Sequence, residues 1–119
     1  MTERAIPVLP TEDLAKAKAF YVDGLGFEVT FEASGDGHTG LLGIARGTIQ
    51  LTLDSPMDGH GRNACVSLEV SDADAYYREW SAKVSVPRAL ENEEWGARTF
   101  SVHDPSGNTI FVMGPVVDG

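Results

Sequence analysis

Residues 95–111, Trp-Gly-Ala-Arg-Thr-Phe-Ser-Val-His-Asp-Pro-Ser-Gly-Asn-Thr-Ile-Phe, constrain the fold of this chain more than any other stretch. Phe100 and Val102 alternate with Thr99, Ser101 and His103, the period of a half-buried strand. Asp104-Pro105-Ser106-Gly107 has turn chemistry, because proline presets φ at the second position and glycine accepts a positive φ. Residues 109–113 then run β-branched and apolar, so the stretch predicts a β-hairpin. Trp95-Gly96 ahead of the first strand and Phe111 inside the second are more than a plain hairpin requires.

The remaining chain states one theme twice. Residues 5–9 read as a short apolar strand ending at Pro10. Thr11 is placed to N-cap a helix, with Glu12 and Asp13 in the first turn where the helix dipole favours negative charge. Leu14, Ala17, Phe20 and Tyr21 give that helix an apolar stripe, and Gly24 or Gly26 can close it in a left-handed cap. Strands are predicted over 27–32, 41–46 and 48–53, and residues 54–63 read as a linker. The pattern then restarts with a strand over 65–70, Ser71 as N-cap, and a helical stripe of Ala73, Tyr76, Tyr77 and Trp80. Val84 and Val86 carry a short strand before the hairpin. Asp13 and Asp74 occupy matching places about 60 residues apart, and a repeat of half the chain implies two fused modules rather than a solenoid. The expectation is a single α+β domain over 1–119 with halves at about 1–55 and 63–119.

Composition narrows the function. A net charge of −9 argues against nucleic acid, whose phosphates demand a basic surface, and is compatible with cationic small ligands. No apolar run approaches about 18 residues, so no transmembrane helix is expected. The lone Cys65 rules out an internal disulfide framework. Together with an N-terminus lacking a signal-peptide apolar region, it predicts a cytoplasmic location.

The pattern Trp-Gly-x-x-x-Phe-x-x-x-Asp-Pro-x-Gly-Asn, running from Trp95 to Asn108, resembles the C-terminal signature of the glyoxalase/bleomycin-resistance/dioxygenase superfamily, the vicinal oxygen chelate fold. The resemblance extends from Ile6 to about Gly114. Trp95-Gly96, Asn108 and Tyr77-Arg78-Glu79-Trp80-Ser81 make the chain most similar to the bleomycin-resistance branch. The resemblance implies duplicated βαβββ modules forming cupped antiparallel sheets around a cavity, with the helices outside.

Enzymes of this superfamily hold a divalent metal on cavity-facing strand positions. The resemblance carries those positions onto Ile6, Cys65 or its neighbour, and Phe111. Isoleucine and phenylalanine cannot ligate, so the reading is against a metal enzyme, and no cofactor is expected. His38 and His60 lie in Gly/Asp-rich loops and His103 beside the turn, all read as solvated. Cys65 reads as a small buried hydrophobe rather than a nucleophile.

By alternation and by matching to the family, Val8, Gln50, Thr52, Thr99, Ser101 and Phe111 share the cavity-facing sides, with Trp95 at the mouth and Phe31 as the opposite wall. Glu32, Asp36, Glu91, Glu93 and Glu94 are candidates for an acidic rim. The resemblance implies a homodimer that sequesters an aromatic, partly cationic antibiotic of the bleomycin type without chemistry and so gives antibiotic resistance. Two alternatives exist for that dimer, exchange of the N-terminal strand or side-by-side packing. The competing readings are a glyoxalase-like lyase or isomerase, or a dioxygenase-related enzyme, and a binder of some unrelated metabolite.

Overall fold

The computed structural model describes residues 3–56 and 63–117. Ten elements follow in order: β1 (Val8–Pro10), α1 (Leu14–Lys18), β2 (Glu28–Ala33), β3 (Gly40–Arg46), β4 (Ile49–Ser55), β5 (Cys65–Glu69), α2 (Ala73–Ser81), β6 (Arg88–Asn92), β7 (Ala97–His103) and β8 (Thr109–Pro115). Strand, helix and three strands therefore occur twice, the α+β duplication expected. Each half builds one four-stranded sheet, β1-β4-β3-β2 and β5-β8-β7-β6, and the two do not close into a barrel.

The sheets are mixed rather than antiparallel throughout. β1 runs parallel to β4, and β5 parallel to β8. In each half the first strand is followed by a helix, and that crossover allows it to lie parallel beside the last strand, which a tight hairpin turn cannot do.

Both helices are capped by aspartate, not by the residues nearest the preceding strand. Asp13 accepts from the Ala15 amide at 2.9 Å and Asp72 from the Ala75 amide at 3.1 Å. Thr11 is instead buried, its hydroxyl sharing a 3.0 Å hydrogen bond with that of Ser106. As caps, the matching residues of the two halves are Asp13 and Asp72. Asp74 lies two residues further on, in the first turn of α2, and accepts from the Arg98 guanidinium at 2.6 Å, which holds its carboxyl below the usual range. α1 continues as a π-helical turn over Ala19–Gly24, and the chain reverses at Gly26, φ +77°. Val84 and Val86 pack against the core as loop residues, and the strand begins later, at Arg88.

The core runs through both halves. Leu9, Leu42, Ile44, Leu51 and Leu53 of the first sheet and Leu68, Phe100, Val102, Ile110 and Val112 of the second are buried on the helix-facing sides. Trp80 of α2 is fully buried, stacks edge-on with Phe100, and donates its indole N–H to the Leu25 carbonyl at 3.1 Å. Arg46 joins the halves a second time. It binds both Glu79 oxygens, donates to the Leu25 carbonyl, and lies 4.5 Å above the Tyr76 ring.

The turn between β7 and β8 makes a third junction. Asn108 donates to the Pro10 carbonyl at 2.7 Å and accepts from the Ala64 amide at 3.0 Å, while Ser106 accepts from the Glu12 amide. The Asp-Pro-Ser-Gly-Asn segment thus clasps the start of the first half. Among the described residues no helix is long and apolar enough to cross a membrane.

Candidate functional site

Side chains alternate across a strand, so burying one face of each sheet beneath the helices turns the other face outward. On the first sheet, Val8, Thr52, Gly43 and Phe31 pair across four strands in one row. Gln50 and Ala45 form the neighbouring row, and Asp54 and Leu41 the row on the other side. Val8 is 44% exposed and Phe31 46% exposed, so this face bares apolar side chains among the polar Thr52, Gln50 and Asp54.

Gly43 explains the pose of Phe31. A Cβ at position 43 would lie 2.2 Å from Cε1 of the ring, so the glycine lets the phenyl group lie against the backbone of β3.

The second sheet carries Thr99, Ser101 and Phe111 outward. Ser67, Phe111, Ser101 and Arg88 form one row, and Glu69, Met113, Thr99 and Glu91 the next. Thr99 and Ser101 are nonetheless buried, because Arg88 and its carboxylate partners lie over these two rows. Arg88 donates to the Thr99 hydroxyl at 3.2 Å and to Glu91 at 3.0 Å, pairs with Glu93, and lies 5.8 Å from the Phe111 centroid. Thr99 in turn donates to Glu93 at 2.8 Å. That hydrogen bond and the Arg88 guanidinium hold the Glu93 carboxyl below its ordinary range.

Trp95 stands at the tip of the turn joining β6 to β7 and is 61% exposed. The turn is closed by the Gly96 amide donating to the Glu93 carbonyl, with Gly96 at φ +102°. The structure therefore sorts the eight expected residues into two sets. Val8, Phe31, Gln50 and Thr52 lie on one sheet face, Thr99, Ser101 and Phe111 on another, and Trp95 projects beside the second.

Sequence reasoning missed Arg88. Its position opposite Ser101 depends on a bulge between Arg88 and Glu91 that shifts the register, and no local signal marks it. Two acidic-rim candidates also move. Glu32 pairs with Leu42 on the helix-facing side and binds Lys18 at 3.1 Å, which removes it from the outward face. Asp36 accepts from the His38 and Thr39 amides, and those bonds bring its pKa down to about 2.

Cys65, expected to be buried, is exposed. It starts β5, an edge strand, and shares its row with Thr109 on the uncovered side. The metal-ligand positions implied by the fold hold Ile6, 37% exposed just ahead of β1, this thiol, and Phe111 beneath Arg88. One thiol and two hydrocarbons do not fit a divalent ion. Among the described residues no three His, Cys, Asp or Glu side chains converge as a metal set. The segment Asp58-Gly59-His60 lies outside the described residues.

Fold and site together define a duplicated βαβββ protein whose two sheets present their free faces away from a shared helical core. The chain belongs to the Glyoxalase/Bleomycin resistance protein/Dioxygenase superfamily, whose family model matches residues 5–112. It is similar to the bleomycin-binding protein from bleomycin-producing Streptomyces verticillus, solved with copper(II)-bleomycin, at 31% identity over 98% of this chain and 100% of that one, TM-score 0.77. A second bleomycin-binding protein, solved with bleomycin, is 25% identical over 97% of this chain and 100% of that one, TM-score 0.77. TnmS3, an antibiotic-binding protein from Streptomyces sp. CB03234, is 25% identical over 98% and 99%, TM-score 0.74. No curated protein sequence matches the chain.

Proposed function

We propose that this protein is a non-catalytic binder that sequesters bleomycin or another aromatic antibiotic in the cytoplasm and thereby gives resistance. The observation that carries the reading is the set of apolar side chains bared on the outward face of the first sheet, where Phe31 lies over Gly43 beside Val8, taken with hydrocarbon side chains at the metal positions. The similarity to bleomycin-binding and antibiotic-binding proteins supports it.

In this reading a planar ring system of the drug lies against Phe31 and Trp95, and a cationic portion faces Glu91 and Glu93. A homodimer supplies the second wall, the face of one copy's first sheet closing over the partner's second sheet. Gln50, Thr52 and Ser101 supply polar anchors, while Thr99 holds Arg88 and Glu93 in place. No bond is made or broken, so protection is stoichiometric.

The test is a titration of metal-stripped protein with bleomycin, following tryptophan fluorescence and heat together, with sedimentation to give the mass of the complex. Saturation at one drug per subunit of a dimer, with unaltered drug recovered, is the expected result. Absence of binding at high micromolar drug overturns the bleomycin assignment.

A further inference from the structure

Where the helical segments of the two halves meet, a groove of 550 Å³ is lined by Lys16, Phe20, Asp23, Lys83, Val84 and Pro105 among others. Lys16 comes from α1, Phe20 and Asp23 from its π-helical turn, Lys83 and Val84 from the segment after α2, and Pro105 from the β7–β8 turn. None of these residues lies on a strand, so the groove is separate from both outward sheet faces. Its volume is that of a small-molecule site, about 300–1,000 Å³. The floor is apolar and held in place. Phe20 is half-buried and meets the buried Tyr21 edge-on at 5.1 Å. The Lys83 and Val84 amides both donate to the carbonyl of the buried Trp80, at 3.0 and 2.8 Å. Gly24 makes room for Val84, since a Cβ there would lie 2.8 Å from the valine Cγ1. A surface fixed in this way needs little ordering when a ligand arrives.

Charge decides the occupant. Lys16 and Lys83 come from opposite halves of the chain, and among the described residues neither ammonium has a hydrogen-bond or ion-pair partner. Lys18, the third lysine of the chain, binds Glu32 instead. The nearby carboxylates are engaged elsewhere. Glu79, which Lys83 helps to keep ionised, has both oxygens held by Arg46. Asp104, beside Pro105, is buried and taken up by the amides of its own turn. The lining therefore sets two ammonium groups against the single carboxylate of Asp23, a positive spot on a chain of net charge −9. A carboxylate on an apolar body matches it. The charge would pair with the lysines, and the ring or chain would lie on Phe20, Val84 and Pro105. An organic cation would meet two like charges, and a bare inorganic anion would leave the apolar floor unused.

We propose that this groove binds a small organic acid, a carboxylate carried on an aromatic or short aliphatic body, with Lys16 and Lys83 selecting for negative charge. The site is independent of the drug-binding reading and stands or falls without it.

The probes are 2-naphthoate, its neutral counterpart 2-naphthylmethanol, inorganic phosphate and a hexaglutamate peptide. Binding is measured by calorimetry and through backbone amide resonances in isotope-labelled protein. The naphthoate should bind about fivefold more tightly than the alcohol, the scale of exposed ion pairs, and should shift the Gly24 and Val84 amides. A variant carrying both Lys16→Gln and Lys83→Gln should bring the two probes to within about twofold while leaving affinity for the alcohol unchanged. Asp23→Asn should strengthen naphthoate binding, and higher salt should weaken the naphthoate alone. Lys16, Asp23 and Lys83 are exposed, so these variants should fold as wild type does. A naphthoate preference that survives the double substitution, or Gly24 and Val84 amides that stay still at saturation, overturns the site. Phosphate or hexaglutamate binding more tightly than the naphthoate overturns its assignment to a small organic acid.

Discussion

The phenol of Tyr21 donates to Oδ2 of Asp104 across 2.7 Å, joining residues 83 positions apart in the chain. The Ser106 and Asn108 amides and the Asn108 side chain all donate to the same carboxyl group. One carboxyl thus orders the β7–β8 turn and ties it to the first helix. Burial first, and the charge of Asp104 second, push the Tyr21 phenol well above its ordinary pKa of 10.

Tyr21→Phe should destabilise the fold by about 1–3 kcal/mol, because it leaves a buried acceptor short of a donor. Urea unfolding measures this, and a loss below about 0.5 kcal/mol would show that the clasp carries little energy. The pH dependence follows from the same pair. A phenol raised in the folded state contributes stability that is complete below the unfolded value near 10 and is lost as pH rises beyond it. Wild type should therefore lose about 1.4 kcal/mol per pH unit above pH 10 relative to Tyr21→Phe.

His38 reports on the loop between β2 and β3. Its Nδ1 lies 2.9 Å from the Asp13 carboxylate, and its carbonyl accepts from the Leu14 amide, so it ties this loop to the start of α1. Asp13 raises the imidazole pKa, and the pair's contribution is complete below about 6.5 and fades as pH climbs through the folded value. An NMR titration should place His38 above the ordinary imidazole value, and Asp13→Asn should bring it down. A His38 titration unmoved by that variant would exclude the pairing in solution.

Gly43→Ala tests the aromatic floor. The new methyl group would overlap the Phe31 ring, which is exposed and can rotate away. Unfolding free energy should change by less than about 1 kcal/mol, whereas affinity for an aromatic ligand should fall. Equal affinity for bleomycin in the two proteins would take Phe31 out of the binding surface.

Trp95→Ala should weaken bleomycin binding at least about tenfold with the circular dichroism spectrum unchanged, because an exposed indole contributes to binding rather than to the core. Calorimetry measures it without needing the lost chromophore. Unaltered affinity would remove Trp95 from the site.

Much of the fold was legible because its signals are local. The turn at Asp104-Pro105-Ser106-Gly107, the alternation through β7 and the two helical stripes each lie within a dozen residues, and all are present where expected. The helix caps were less legible. Thr11 and Asp13 compete for the same role, and Ser106, far away in sequence, takes the Thr11 hydroxyl.

The site divides along the same line. By itself the sequence determined the period-2 alternation of strands such as β7 and that Ile6 and Phe111, which the family resemblance sets at the metal positions, carry no ligating atom, since residue identity and local period suffice for these. Tertiary structure decided which strand faces stay open. Arg88 covers Thr99 and Ser101, Lys18 draws Glu32 toward the helix, and Cys65 is left exposed on its edge strand. The physical reason is that exposure depends on what other strands and helices lay over a side chain, and those partners meet only when the chain is folded.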